Sequence, residues 1–169
     1  MAWRPMRQED LAQACAIADE VHRAHPEDAE VFADRLALFP QGCLVLEAGG
    51  RVAGYTLAHP GLRAAPPALN ARLAILPARA DCLHVHDIAI LPGARGRGAA
   101  RAAMEMLSAL AAREGLPLLA LVAIPGTRAF WRGQGFVVVD RPALAAKLAS
   151  YGAGSRFMER AARRCMSTG

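Results

Sequence analysis

The fold of this chain is decided by residues 83–101, which read LHVHDIAILPGARGRGAAR. The first half of the stretch predicts a strand, the Pro92-Gly93 pair ends it, and the alanine-rich second half predicts the start of a helix. Gly96 and Gly98 can adopt positive φ angles, so successive amide groups can point at one place beside the first turn of that helix. This arrangement predicts a pyrophosphate site.

Other phosphate-binding loops are excluded by their missing residues. A Walker A loop needs a Gly-Lys-Ser/Thr triplet, which this chain lacks, and its single lysine, Lys147, lies more than 40 residues away. A dinucleotide-binding GxGxxG pattern that starts at Gly96 would need a glycine where Arg101 stands. The pattern that the loop does fit is Arg95-x-x-Gly98-x-Ala100.

That pattern, placed after a strand that ends in Ile-Ala-Ile-Leu-Pro, resembles the acetyl-CoA loop of the GCN5-related N-acetyltransferase (GNAT) superfamily, with its consensus Arg/Gln-x-x-Gly-x-Gly/Ala. Downstream, residues 131–136 (WRGQGF) resemble the Tyr-x-x-x-Gly-Phe element of the same family. The resemblance covers about residues 83–139. It implies an α/β GNAT fold with a mixed, mostly antiparallel central sheet that splays between two strands and is flanked by helices. It also implies a single acyl-CoA N-acyltransferase domain over residues 1–169.

Hydrophobic periodicity and turn residues predict the remaining elements in an order that fits this fold. The predicted strands are 2–7, 43–48, 51–59, 83–91, 116–124, 136–139 and 155–161. The predicted helices are 8–24, 27–38, 98–114, 127–134 and, as a helix or turn, 143–150. For the third helix we expect Ala103, Met106, Leu107 and Leu110 on the buried face. Residues 60–81 contain a Pro-Pro pair and predict a long irregular segment of the kind that is usually functional or disordered.

The resemblance also implies where acetyl-CoA, the expected cosubstrate, binds. Backbone groups of Ile88, Ala89 and Ile90 would bind the pantetheine arm, in the gap between strands 83–91 and 116–124. The pyrophosphate would be held by the loop and the first helical turn, which comprise Arg95, Gly96, Arg97, Gly98, Ala99, Ala100 and Arg101. The implied reaction is direct transfer of an acetyl group from the thioester to a primary amine of a small molecule or peptide.

Acetyl transfer to an ammonium group needs a proton acceptor, and histidine suits this role near neutral pH. His84 and His86 lie on the strand where several members of the family carry a glutamate base, and we predict either one as general base or water relay. Strict alternation would place His84, His86, Ile88 and Ile90 on one face and Val85, Asp87 and Ala89 on the other. Asp87 would then face away from the site, unless a bulge reverses the assignment.

The general acid is not evident from the sequence. Trp131 stands where many relatives use a tyrosine to protonate the CoA sulfur, and an indole cannot supply a proton at neutral pH. We expect Trp131 to pack or to line the acyl pocket. The proton would then come from elsewhere, with Tyr55 and Tyr151 as the only tyrosines, or from water. Ile124 or Pro125 occupies the place of the family's asparagine.

Composition limits the remaining choices. The chain has 169 residues, is 54% hydrophobic and carries a net charge of +5, and it contains no apolar run of the roughly 20 residues that a membrane span needs. Its arginines are scattered and its aromatics few, which argues against nucleic-acid binding. Four cysteines (Cys15, Cys43, Cys82 and Cys165) without paired spacing indicate reduced thiols, no disulfide framework and no metal site. We therefore expect a cytoplasmic protein, and a homodimer is left open.

Three alternatives remain at this point. The missing tyrosine is compatible with a non-catalytic CoA-binding module or sensor. The basic charge is compatible with a nucleic-acid-binding protein. The loop is compatible with another acyl donor, such as succinyl-CoA. A cationic amine acceptor could be attracted by five acids of the N-terminal region: Asp19, Glu20, Glu27, Asp28 and Glu30. The same acids could equally form a solvated helix face.

Overall fold

The computed structural model of the protein describes residues 1–162, and Cys165 lies outside this range. One sheet contains its strands: β1 (Ala2–Pro5), β2 (Cys43–Ala48), β3 (Arg51–Gly61), β4 (Cys82–Ile90), β5 (Leu118–Ala123), β6 (Val137–Val138) and β7 (Arg156–Ala161). The strand order is β1-β2-β3-β4-β5-β7-β6, and every adjacent pair is antiparallel except β4 and β5. The α/β class and the mixed, mostly antiparallel sheet predicted from the sequence are confirmed.

The sheet is flanked by α1 (Leu11–Val21), α2 (Ala29–Leu38), α3 (Ala99–Arg113), α4 (Arg128–Gly133) and α5 (Ala145–Ser150). The first helix begins later than predicted because Gln8–Asp10 form a 3₁₀ turn. Asp10 stabilises this turn by accepting hydrogen bonds from the Arg7 amide (2.8 Å) and the Arg4 guanidinium (2.7 Å). Within residues 1–162, no helix is long and apolar enough to cross a membrane.

Two apolar layers form the core. Helices α1 and α2 pack on one face of the sheet, where Ile17 and Phe32 belong to one cluster with Leu57 of β3. Helix α3 packs on the other face through Leu107 and Leu110. The prediction that Met106 is buried was wrong, since this residue is 42% exposed and Met104 is fully buried instead. At 100° per residue, the buried stripe of α3 runs through 103, 104, 107, 110 and 111 and leaves position 106 on its flank.

Strands β4 and β5 separate soon after they meet. Their only paired residues are Leu83 with Leu119 and His84 with Ala120, at the start of both strands. Beyond that point β4 continues to Ile90 while β5 diverges from it, which leaves one edge of β4 without a sheet partner. The fold thus opens a gap beside residues 85–90, as the family resemblance implies.

A bulge in β4 overturns the predicted alternation of faces. Leu57 of β3 pairs with Asp87, but the next residue, Ala58, pairs with Val85, so His86 is an extra residue in β4. As a result Val85 lies on the α3 face together with Ile88 and Ile90, whereas His84, Asp87 and Ala89 lie on the α1–α2 face. Asp87 keeps the face of Ala89 that alternation predicted, but this face also lines the gap, so the expectation that Asp87 faces away from the site was wrong.

Residues 62–81 form an irregular segment, as predicted, but the segment is anchored along its length. Arg63 makes a double hydrogen bond to Glu159 of β7 (2.6 and 2.8 Å). Asp34 of α2 accepts hydrogen bonds from the amides of Leu73 (2.7 Å) and Ala74 (3.2 Å). These contacts hold the segment against α2 and β7, and Leu69 within it borders the gap.

Candidate active site

A cavity of about 650 Å³ occupies the gap between β4 and β5. One end is formed by the glycine loop and the start of α3, and the walls come from the two diverging strands. The other end is lined by the end of α1, the α1–α2 connection and Leu69 of the anchored segment, and α4, which follows β5, also lines the cavity. A single continuous cavity therefore joins the predicted pyrophosphate loop to the polar residues of β4.

The glycine loop fits a pyrophosphate. Gly96 and Gly98 both have φ +76°, and a Cβ built on either would meet no atom within 4 Å, so their positive φ serves the shape of the loop rather than close packing. Gly98 caps α3, whose first hydrogen bond runs from the Ala102 amide to the Gly98 carbonyl (2.9 Å). The preceding amides of the first turn lack helical partners and carry the positive end of the helix dipole. The loop can thus bind the anionic part of the cosubstrate.

The arginines of the loop have different surroundings. The Arg95 side chain donates from Nε to the Ile90 carbonyl (2.7 Å) and so fixes the loop to the end of β4. Arg101 lines the cavity together with Arg95, whereas Arg97 does not. Seven more of the predicted cosubstrate residues line it: Ile88, Ala89, Ile90, Gly96, Gly98, Ala99 and Ala100. Their assignment to acetyl-CoA stays a prediction.

His86 lies at the far end of the cavity and is paired with Glu27. Its Nε2 is 2.7 Å from Glu27 Oε1, and both side chains are at least 90% buried. Burial alone would raise the pKa of Glu27, but the hydrogen bond and the charge of His86 outweigh it and hold the pKa below its ordinary value. Glu27 is consequently an anion that orients the imidazole. His84, the other predicted base, is 3% exposed and does not line the cavity.

A second polar group in the cavity comprises His22, Asp87 and Tyr55. His22 Nε2 lies 2.9 Å from Asp87 Oδ1, and the Tyr55 hydroxyl donates to the other oxygen of the same carboxylate. Burial would raise the pKa of Asp87, but the hydrogen bonds from His22 and Tyr55 hold it below its ordinary value. His22 and Asp87 line the cavity, and the buried Tyr55 supports them from beneath.

The aromatic residues near β5 fill the place of the family's tyrosine element. Trp131 is 8% exposed, packs edge-on against Phe130 and Phe136, and lines the cavity, as expected for a packing residue. Tyr151 also lines the cavity, but its hydroxyl donates to the Pro67 carbonyl. Burial, with a contribution from the charge of Glu27, raises the pKa of Tyr151 to about 12.

Three imidazoles, those of His59, His84 and His86, meet behind the cavity, with potential ligand atoms within 4.8 Å of one another. The buried guanidinium of Arg35 adds positive potential, which contributes together with burial to a pKa of about 4 for His59. The surroundings thus oppose a further cation, and no metal is assigned to the cluster.

Residues 6–136 match the family model described as "Acetyltransferase (GNAT) family". The chain belongs to the GNAT family. Acyl-CoA-dependent acetyl transfer is the activity of this family, and acetyl-CoA is accordingly the cosubstrate of this GNAT protein. A search of curated protein sequences finds no match.

Solved structures share the fold of this GNAT protein at low sequence identity. Naa20 from Chaetomium thermophilum, in complex with a bisubstrate analogue, is 20% identical with a TM-score of 0.71, over 97% of this chain and 88% of that one. The ribosomal-protein-S18-alanine N-acetyltransferase from Escherichia coli is 16% identical with a TM-score of 0.65, over 99% and 97%. The GNAT-like decarboxylase GphF, in complex with isobutyryl-CoA, is 19% identical with a TM-score of 0.75, over 96% and 100%.

Sequence reasoning located the loop of this GNAT protein and the strand beside it, and it named Glu27 among five acids. The structure places only Glu27 of those five in the lining of the cavity. Sequence reasoning missed His22, which lies at the end of an amphipathic helix and 65 residues from its partner Asp87. No local pattern could have joined the two residues.

Proposed function

We propose that this GNAT protein is an N-acetyltransferase that moves an acetyl group from acetyl-CoA directly to a primary amine of a small molecule or peptide. The observation that carries the proposal is the continuous cavity, which has an anion-binding loop at one end and the His86–Glu27 pair at the other. The two ends match the two substrates: a pyrophosphate needs amide donors and positive charge, and an ammonium needs a proton acceptor.

In this proposal His86 accepts the proton that the ammonium must lose before it attacks the thioester. Glu27 holds the imidazole at 2.7 Å and stabilises the imidazolium that forms, because an ionised carboxylate favours the charged ring. Glu27 is thus a positioning residue and His86 the catalytic one. His84 lies deeper than the cavity wall and is left out of this step.

Direct transfer is favoured over a covalent intermediate by the state of the cysteines. Cys43 and Cys82 are fully buried, and burial raises the pKa of both thiols to about 12, which suppresses the nucleophilic thiolate. Cys15, half-buried on α1, does not line the cavity. No cysteine within residues 1–162 is therefore placed to accept the acetyl group.

One alternative is a CoA-binding sensor of the same fold. The observation that favours it is Trp131, which packs where many relatives carry a proton donor and cannot donate a proton itself. The two functions differ in turnover and not in affinity, because both would bind CoA through the glycine loop. A different acyl-CoA donor is a second alternative, and the fold relative GphF was solved with isobutyryl-CoA.

The test is a screen for CoA release with a thiol reagent. The acceptor panel contains polyamines, amino acids, aminoglycosides and peptides with a free N-terminus; the E. coli relative, named as an alanine N-acetyltransferase of a ribosomal protein, is the reason for alanine-initiated peptides. Acetyl-CoA, succinyl-CoA and isobutyryl-CoA serve as donors. We expect amine-dependent release with acetyl-CoA. Tight CoA binding with no release from any amine would overturn the proposal in favour of the sensor.

A further inference from the structure

His22 faces the cavity from the C-terminal end of α1, at the level of Ile88 on β4. Its Nε2 lies 2.9 Å from Asp87 Oδ1 and 3.2 Å from the Ile88 carbonyl oxygen. Both of these oxygens only accept hydrogen bonds, because the Asp87 carboxyl is ionised, so Nε2 carries a hydrogen. Within residues 1–162 these are the only polar contacts of the ring, and Nδ1 is left for a group in the cavity.

The positions along β4 separate His22 from His86. Counting away from the glycine loop, Ile90 comes first, then Ile88 with His22, and then His86 with Glu27. Because His86 is the extra residue of the bulge, it lies less than the roughly 7 Å of two regular residues farther from the loop than the Ile88 level. A cosubstrate that enters from the loop end reaches His22 before it reaches His86. The thioester sulfur therefore corresponds to the first histidine and the attacking amine to the second.

We propose that His22 is the proton donor to the departing CoA thiolate, with Asp87 and Tyr55 as the residues that position it. The inference rests on the proposed acetyl transfer and deepens it, because it supplies the general acid that Trp131 cannot provide. Asp87 fixes the ring through Nε2, and Tyr55 fixes Asp87 through its second oxygen. Asp87 itself lines the cavity beside His22.

The proton balance assigns one histidine to each transfer. The ammonium loses two protons in the reaction: the first goes to His86 and on to solvent, and the second leaves when the adduct collapses. The C–S bond then breaks, its electron pair stays on sulfur, and the imidazolium of His22 gives its Nδ1 proton to that sulfur. The second amine proton, passed through solvent, restores the imidazolium. The products are the acetamide, CoA thiol and one proton.

The charges around His22 suit an acid. Burial alone would lower the pKa of His22, but the hydrogen bond and the charge of Asp87, with smaller contributions from the Ile88 carbonyl and from Glu27, raise it above its ordinary value. The other titratable groups that face this part of the cavity are His86 of β4, Tyr55 of β3 through Asp87, and His25 of the α1–α2 connection. The imidazolium is therefore the form that Asp87 favours near neutral pH.

The first experiment needs no acceptor amine. Bound CoA is titrated in its binary complex with the full chain by the ultraviolet absorbance of its thiolate. An imidazolium next to the sulfur lowers the pKa of the bound thiol, and we expect His22→Gln to raise that pKa by about 1–3. His25→Gln is the matched control: His25 also lines the cavity, but its Nε2 meets the Tyr151 carbonyl and no carboxylate. An equal thiol titration in wild type and His22→Gln, at equal CoA affinity, would overturn the inference.

The second experiment follows kcat/KM against pH for the best amine. We expect His22→Gln to lower kcat by about 10²–10⁴ and to remove the fall of activity at alkaline pH. Asp87→Asn should move that alkaline fall to lower pH, because it removes the charge that favours imidazolium; a purely structural role would lower activity without moving it. If no amine is acetylated but the thiol titration shifts in His22→Gln, the proposed amine acceptor is refuted and the contact between the His22 imidazolium and the CoA thiolate stands. If His22→Gln turns over normally and its thiol titration is unshifted, the role of His22 as proton donor is refuted and the proposed acetyltransferase activity stands.

Discussion

The first turn of α3 offers the sharpest test of the cosubstrate site, through charge added at Gly98. Gly98 has φ +76° and open space where a Cβ would be built, so a longer side chain meets no protein atom there but is strained by the backbone. Left-handed backbone costs a non-glycine residue about 1–2 kcal/mol. Gly98→Gln and Gly98→Glu share this strain and nearly the same shape. The difference between these two variants therefore isolates the charge.

The magnitude follows from the position of the carboxylate. A carboxylate at residue 98 can come within about 5 Å of a phosphate bound to the amides of the same turn. Two unit charges at that distance repel each other by about 0.8 kcal/mol at a dielectric of 80 and about 3 kcal/mol at 20. The Kd of acetyl-CoA should therefore be about 4-fold to 200-fold weaker for Gly98→Glu than for Gly98→Gln, and the ratio should shrink with salt.

Gly115 provides the matched control at the other end of the same helix. It has φ +71° and open space as well, and it lies beyond the other end of α3, a helix about 22 Å long. Gly115→Glu and Gly115→Gln should lose similar stability but bind acetyl-CoA equally. The assay is titration calorimetry with acetyl-CoA, with thermal melts to compare stability. Equal affinities for Gly98→Glu and Gly98→Gln would refute the placement of the pyrophosphate at this loop.

Three further perturbations follow from the structure. His86→Gln should lower kcat/KM by about 10²–10⁴ and flatten the rise of kcat/KM with pH. Glu27→Gln should reduce activity less, because the base His86 remains. An unchanged pH profile for His86→Gln would show that His86 is not the base. The Arg4 guanidinium holds the pKa of the Asp10 carboxyl below its ordinary value. The stability from this pair is therefore complete above about pH 4, and it is lost as the pH falls through the pKa of Asp10 in the folded protein. Asp10→Asn should destabilise the protein by about 2 kcal/mol at pH 7 and by little in acid. Urea unfolding at the two pH values measures the difference. Asp34→Ala should release residues 62–81, so the amides of this segment should exchange hydrogen faster. It should also cost about 3 kcal/mol of stability, because it leaves the buried Arg35 guanidinium without its carboxylate. Unchanged hydrogen exchange would contradict the anchoring.

The glycine loop and the elements around it were predictable because their causes are local. Pro92 with Gly93 favours a turn after the strand, and Gly98 permits a left-handed residue directly before a helix. The hairpin turn at Gly49-Gly50 is predictable for the same reason, and the structure gives both glycines positive φ. Such features need no knowledge of distant partners, and the structure confirms their positions to within a few residues.

The arrangement of the catalytic groups was not predictable in the same way. Period-two alternation placed His84 and Val85 on the wrong faces because a single extra residue, His86, enters β4, and a bulge is a property of strand pairing rather than of composition. The partner of Asp87 is His22 and the partner of His86 is Glu27, each about 60 residues away in sequence. Pairing between such distant residues becomes visible only when α1, α2 and β4 are packed together.

The sequence by itself determined the family, the glycine loop and the order of helices and strands, because glycine geometry, helix capping and hydrophobic period act over a few residues. The tertiary structure alone decided which polar side chains meet in the cavity. Side-chain contacts depend on the register of β3 with β4 and on the docking of α1 over the sheet. A one-residue change in register reverses the faces of the strand beyond it, and here the bulge at His86 moved Val85 to the face of Ile88 and His84 to the opposite face.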